Sequence, residues 1–219
     1  MRYFKTGPGE YGAGDAFLGV KVPPIRKLSR AGSELSLGDL RTLVRSRYHE
    51  ERLLGLLSLV RKYQAAEKRG ETATQKSIFD LYMAERAHIN NWDLVDLSAM
   101  HIVGRWLENR DRRVLAKLAR SKVIWDRRIA ILSCFHFIRG DDFDLALEIS
   151  EMLLGDSEDL IHKAVGWMLR EIGNRDKKAE TLFLERHADT MPRTMLRYAI
   201  EKFPEKERLK FLARGKTKR

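Results

Sequence analysis

The sequence predicts an all-α protein, built as a curved right-handed solenoid of stacked helical pairs. Three observations predict it. After Pro24, apolar residues recur at three- and four-residue steps through nearly the whole chain, the spacing that lines one face of a helix. No stretch shows the strict alternation of a half-buried strand. In the second half, similar apolar segments return at intervals of about thirty to forty residues.

Taken in order, the helical pattern opens with Ile25 and Leu28 and breaks at Gly32. Ser36 and Asp39 have the spacing of a capping box ahead of Leu40, Leu43 and Val44. From Glu51 to Tyr63 the residues Leu53, Leu54, Leu56, Leu57 and Val60 read as a well-buried helix. The next helix is expected over Thr74 to Ala87, with Ile78, Phe79, Leu81 and Tyr82 turned inward. Asn90 and Asn91 are good capping residues for a helix through Trp92-Asp93-Leu94-Val95-Asp96-Leu97.

That last segment begins a series. It is followed by Trp125 to Leu132, by His162 to Leu169 and by Arg193 to Ile200, each expected to follow a shorter amphipathic helix. A period of this size is that of HEAT- or armadillo-like helical pairs. In such an array the inner helices line a concave surface. Arg127, Arg128, Lys163, Arg170, Arg193 and Arg197 lie on the expected inner helices, so the concave groove is expected to be basic. The whole chain, 1–219, reads as a single domain of this type.

Two stretches stand apart. Residues 6–24 hold Gly7, Pro8, Gly9, Gly12, Gly14, Pro23 and Pro24 and read as a loop. Gly7 and Gly12 have phosphate-loop spacing, but Ala13 stands where the lysine belongs and no strand precedes it, which excludes that kind of nucleotide site. Lys5 and Lys21 flank the loop and give it a route to a phosphate backbone. The end of the chain, 213–219, is basic, with Arg214, Lys216, Lys218 and Arg219, and is expected to fray.

Composition narrows the partner. The chain has 219 residues, with 42 Lys and Arg against 31 Asp and Glu, a formal net charge of +11. Such an excess favours a polyanion, nucleic acid before an anionic membrane surface. No run of eighteen apolar residues occurs and the start, Met1-Arg2-Tyr3-Phe4-Lys5, lacks a signal-peptide core, so an intracellular, cytoplasmic protein is expected. Cys134 is the single cysteine, and the six histidines include no pair at three or four residues' spacing. A metal site therefore has no local signature, and no cofactor is expected.

The candidate chemistry lies in the segment after Asn91. Trp92 and Asp96, four residues apart, share one helix face. Asp93 falls in the first turn, where the helix dipole favours an acid, and is read as structural. Asp96 lies a turn further in, among Leu94, Val95 and Leu97; an acid there is either a satisfied structural group or a reacting one. Trp106 is read as packing. Trp167 follows Gly166 and lies between Lys163 and Arg170, an aromatic set in a basic strip that suits sugars and bases. Periodicity does not separate Arg127 from Arg128. No serine or cysteine sits in a nucleophile elbow.

These residues, in order, resemble the AlkD-like family of DNA alkylation-repair glycosylases, which are built from HEAT-like repeats. The resemblance rests on Tyr3-Phe4-Lys5 with Phe17-Leu18-Gly19-Val20, on Trp92 to Asp96, on Trp125 to Leu132 and on Lys163 to Glu171. It covers nearly the whole chain. It implies that Asp96 is the catalytic aspartate, that Trp92 and Trp167 cradle the damaged nucleotide's deoxyribose, and that Arg128 rather than Arg127 contacts DNA. Tyr3 is similar to a tyrosine that joins this cluster, with Lys5, Lys163 and Arg170 as further DNA-binding candidates. Two departures are visible: an N-terminal helix of some members is short or absent, and Gly7 to Gly14 is an insertion relative to the best-known members.

The function implied is hydrolysis of the N-glycosidic bond of cationic alkylpurines, N7-methylguanine and N3-methyladenine, in double-stranded DNA without base flipping. A base that already carries positive charge leaves as a neutral molecule; the demanding species is the oxocarbenium-like sugar, which a carboxylate stabilises. A monomer acting on the nucleoid is the expected form. The rival reading is a non-catalytic HEAT-like scaffold for nucleic acid or a protein partner, which the fold alone would equally support.

Overall fold

The computed structural model describes residues 4–214. They form helices and connections, with one isolated β-bridge between Ala16 and Tyr48. The class is all-α, as the periodicity predicts, and successive helices pack in pairs. The described chain divides into two compact units, one up to Asn109 and one from Arg110.

The first unit is assembled on one long helix. Helix α1 (Val22–Gly32) begins inside the stretch expected to be loop. Pro23 and Pro24 fall in its first turn, where a missing N–H breaks no helical bond. Helix α2 (Leu37–Val44) starts with the predicted capping box: the Asp39 amide donates to Ser36 Oγ at 3.1 Å, and the Ser36 amide to Asp39 Oδ2 at 3.2 Å. Both helices pack on α3 (His49–Lys68), which buries Leu53, Leu56, Leu59, Val60 and Tyr63.

Helix α4 (Thr72–Ala84) covers another side of α3 and ends earlier than the apolar pattern suggests. The reason is Glu85. Its carboxylate is buried and takes a forked pair of hydrogen bonds from Arg45, at 2.7 and 2.9 Å, with Arg41 at 3.2 Å. The chain turns there into a 3-10 segment, Arg86–His88. A short helix α5 (Trp92–Asp96) follows, and then a π-helical turn, Met100–Gly104. Trp106 is core, stacked on Phe79 with ring centres 5.7 Å apart.

The second unit is assembled on α10. Helices α6 (Arg113–Ala119) and α7 (Ile124–Ser133) form a pair, with the short α8 (Phe135–Ile138) and α9 (Asp144–Met152) beside them. Helix α10 (Asp159–Gly173) packs on α7, on α11 (Lys177–His187) and most extensively on α12 (Arg193–Ala199). The last helix, α13 (Glu205–Ala213), closes on Phe203 through Phe211. The expected short-then-long pairing holds for α6–α7 and α9–α10. It fails for α11–α12 and for α4–α5, where the first helix is the longer. The tail expected to fray is helical to Ala213, and Arg214 pairs with Asp189 at 3.0 Å; residues 215–219 lie outside the described residues.

Gly166 lets α10 and α12 approach closely. A Cβ at this position would lie 2.4 Å from the Met195 carbonyl oxygen and 2.5 Å from Tyr198 Cβ, both on α12. Gly166→Ala is expected to destabilise the chain by about 1–3 kcal/mol through overpacking, more than the roughly 1 kcal/mol that alanine adds to a helix interior. A denaturant midpoint equal to or above the wild type's would show that the helices do not meet this closely.

Behind the C-terminal end of α10, Glu180 is buried against Gly173, and its Oε1 has no hydrogen-bond partner. Burial pushes its carboxyl up from the ordinary 4.5 to about 8, against the opposing charges of Arg170 and Lys177. An acid whose pKa is raised by folding loses stability as pH rises from its unfolded value through its folded one. Stability should therefore fall between pH 4.5 and about 8, and Glu180→Gln should flatten that part of a thermal-melting profile.

Candidate functional site

The segment singled out in the sequence forms one wall of a cavity in the first unit. The Asn91 side chain accepts a hydrogen bond from the Trp92 amide at 2.8 Å, which starts α5 at that residue. Trp92 and Asp96 are then one turn apart, both half-buried, and both line a cavity of about 640 Å³. That is within the range of small-molecule and substrate pockets. Phe4 and Phe17 form another part of its wall, stacked with ring centres 5.2 Å apart, and Phe4 also meets Trp92 at 5.7 Å. Lys21 and Arg26 stand on the same wall, with the carboxylates of Glu50, Asp93 and Asp96.

Glu50 and Asp93 are held by protein donors. Asp93 Oδ1 accepts from the Leu94 amide at 2.9 Å, the first-turn role expected of it. Its Oδ2 meets His49 Nε2 at 2.8 Å. Glu50 accepts from the amides of Leu18, Gly19 and Val20 at 2.9, 2.8 and 3.2 Å. Burial alone would raise the Glu50 carboxyl, but these amides hold it below the usual range.

His49 ties the wall together. Its ring is buried, stacked on Phe17 at 5.1 Å and tilted against Phe4 at 4.8 Å. Nε2 meets Asp93, while Nδ1 faces Asp15 at 3.8 Å, an electrostatic contact too long for a hydrogen bond. Asp15 is itself held by Arg52 at 2.7 Å and by Asn90 and Asn91 at 3.3 and 3.4 Å. Burial alone would lower the imidazole pKa, but Asp15 and Asp93 raise it from 6.5 to about 9, against the charge of Arg52. Asp15 is pulled below the carboxylate range by His49, Arg52 and the two asparagines, although burial opposes it. The imidazole is thus a cation at neutral pH, neutralised from the loop on one side and from α5 on the other. Sequence reasoning missed this cluster. Its local signal, three consecutive charged residues after His49 at the head of a leucine-rich helix, does not reveal partners 34 and 44 residues away.

The remaining candidates divide as follows. Tyr3 lies outside the described residues, and Lys5 is exposed. In the second unit, Arg128 is only 5% exposed and donates to the Leu160 carbonyl at 2.5 Å. Arg127 forms a forked pair with Asp156, at 2.6 and 3.2 Å. Trp167 is half-buried against Phe135, and its indole N–H donates to Glu171 at 2.9 Å. The strip around it alternates in sign: Lys163 pairs with Asp159 at 2.7 Å, and Arg170 with Glu201. Among the described residues no group of three His, Cys, Asp or Glu side chains is placed to hold a metal ion, and no helix is long and apolar enough to cross a membrane.

Comparison with known families and structures agrees with this architecture. The family model of DNA alkylation repair enzymes matches residues 1–203, and the chain belongs to that family. A solved structure described as "Predicted DNA alkylation repair enzyme from Enterococcus faecalis" superposes with a TM-score of 0.65. It is 14% identical and covers 89% of this chain and 92% of that one, a likeness of fold. Curated protein sequences give no match. Family membership places the chain in DNA repair, a process whose substrate is DNA.

The buried imidazolium makes a pH-dependent prediction. A histidine whose pKa is raised by folding contributes stability that is complete below the unfolded value, 6.5, and lost as pH rises through the folded one, about 9. Removing one partner of a buried charge cluster costs about 3–5 kcal/mol. His49→Gln should therefore be less stable than wild type by that order at pH 7, and the gap should close by pH 10. A gap that stays constant over that range would mean a neutral imidazole.

Proposed function

We propose that the chain is a DNA glycosylase that hydrolyses the N-glycosidic bond of cationic alkylated purines, N7-methylguanine and N3-methyladenine, in duplex DNA. The observation that carries this reading is the pairing of Trp92 with Asp96 on one cavity wall. Glu50 holds three amides and Asp93 holds His49, so both have structural duties. Asp96 is assigned the chemistry on the family resemblance and on its place beside Trp92 in the cavity.

In this mechanism the alkylated base departs neutral and asks little of a general acid. Positive charge gathers on the sugar as the bond lengthens. The Asp96 carboxylate stabilises that charge electrostatically and orients the attacking water. Trp92 offers the electron-rich face of its indole to the same cation. For Trp167 and Arg128, in the second unit, the family resemblance implies contacts to DNA. Because the enzyme works on sugar and backbone, no base flipping is required, and neutral lesions make poor substrates. No cofactor or metal takes part, and the working form is a monomer in the cytoplasm, on the nucleoid.

Release of N7-methylguanine from an alkylated duplex tests the reading. Wild type should release the base, and Asp96→Asn should lose at least about a hundredfold in rate, the size expected when a positioned electrostatic group is removed. Trp167→Ala should lose more in rate than in duplex binding. An Asp96→Asn variant with full activity would overturn the mechanism. A wild type that binds duplex and releases nothing would favour the scaffold reading instead.

A further inference from the structure

One edge of the cavity carries groups for which the proposed chemistry has no use. The three consecutive amides of Leu18, Gly19 and Val20 all donate to the Glu50 carboxylate. Gly19 has φ of 81°, a backbone conformation that favours glycine, so the run bends sharply at its centre. The segment is anchored on the protein side through its backbone, which turns side chains outward. Leu18 is 51% exposed and Val20 45% exposed. Two large aliphatic groups are thereby presented to solvent.

The next cations share that edge. Lys21 and Arg26 both line the cavity, both are exposed, and neither makes an ion pair or side-chain hydrogen bond with another described residue. By contrast, Arg41, Arg45, Arg105, Arg127, Lys163 and Arg170 are matched with acids and so committed to the fold. Two unmatched cations beside two exposed aliphatic groups complement a surface that alternates anions with apolar patches. A duplex backbone, phosphate then deoxyribose, is such a surface.

We propose that Leu18, Val20, Lys21 and Arg26 form a duplex-gripping edge. Lys21 and Arg26 take backbone phosphates beside the nucleotide whose sugar meets Trp92 and Asp96, and Leu18 and Val20 press on the neighbouring sugars and groove wall. The placement of that nucleotide rests on the glycosylase reading; the contact with duplex does not. The edge positions DNA and takes no part in bond cleavage. Apolar side chains used in this way also favour a bent or partly unstacked duplex.

Binding of an unmodified duplex, measured by fluorescence anisotropy over a range of salt, tests the edge separately from base release. Lys21→Ala and Arg26→Ala should each reduce the slope of log affinity against log salt by about 1. Leu18→Ser with Val20→Ser should weaken binding by about tenfold at unchanged slope. Lys76→Ala, whose Nζ pairs with Asp80 at 2.6 Å on α4, serves as a control and should change neither. All these residues are exposed, and thermal midpoints verify that the variants fold. Unchanged slopes in both cation variants overturn the proposal even if wild type releases methylguanine, as does a wild type that does not bind duplex. Reduced slopes in a protein that releases no base uphold the edge and overturn the glycosylase reading alone. The same groups would also suit an anionic membrane, so vesicles of phosphatidylserine and phosphatidylcholine form a parallel arm. Vesicle binding abolished by the Leu18 and Val20 changes, with duplex affinity intact, overturns the proposal.

Discussion

The front of the first unit depends on keeping a positive charge where burial works against it. The His49 imidazolium is enclosed by Phe4, Phe17 and two carboxylates. An ion in such a place persists only if its partners are supplied in full. Asp15 comes from the N-terminal loop and Asp93 from α5, so the charge balance fixes both segments to the head of α3 at once. Arg52 then stabilises Asp15 and also donates to the Ser46 and Arg47 carbonyls, at 3.0 and 3.1 Å. The geometry of the cavity wall follows from this cluster: Asp93 ties α5 to His49, and α5 sets where Trp92 and Asp96 stand.

Much of the fold could be read from the sequence because its signals are local. The break at Gly32, the Ser36–Asp39 box and the burial of the α3 leucines depend on neighbours within a turn or two. The failures have distant causes. Apolar periodicity runs on past Ala84, but Glu85 finds Arg41 and Arg45 some forty residues back and ends α4 there. The prolines at 23 and 24 look like loop residues until their place in a first helical turn is known. The recurrence in the second half was legible as a period, whereas the division of each period into long and short helices was not.

The site divides along the same line. The shared face of Trp92 and Asp96 follows from their spacing, and both residues reach one cavity. The structural role of Asp93 was legible as first-turn chemistry, but its larger duty to His49 was not, because that partner lies 44 residues away. For Arg127 and Arg128 the pattern gave no preference, and the structure engages both, one with Asp156 and the other with the Leu160 carbonyl. The aromatic strip of α10 also reads differently once its acids are seen. Asp159 and Glu171 lie one turn from Lys163 and Trp167, whereas Glu201, on the turn after α12, lies 31 residues from Arg170, a pairing that spacing does not reveal.

The Gly-rich stretch ahead of Asp15 has a consequence for how such chains can change over time. Its ends are joined, since the Gly12 amide donates to the Lys5 carbonyl at 2.8 Å, and its interior bonds close on themselves between Gly7, Glu10 and Ala13. The excursion therefore begins and finishes at nearly the same point in space. Residues gained or lost between Lys5 and Gly12 would enlarge or shrink a self-contained bulge without shifting Asp15, Phe17 or anything downstream. Length variation here is mechanically insulated from the cavity, so this segment can accumulate insertions and deletions while the wall behind it stays in register.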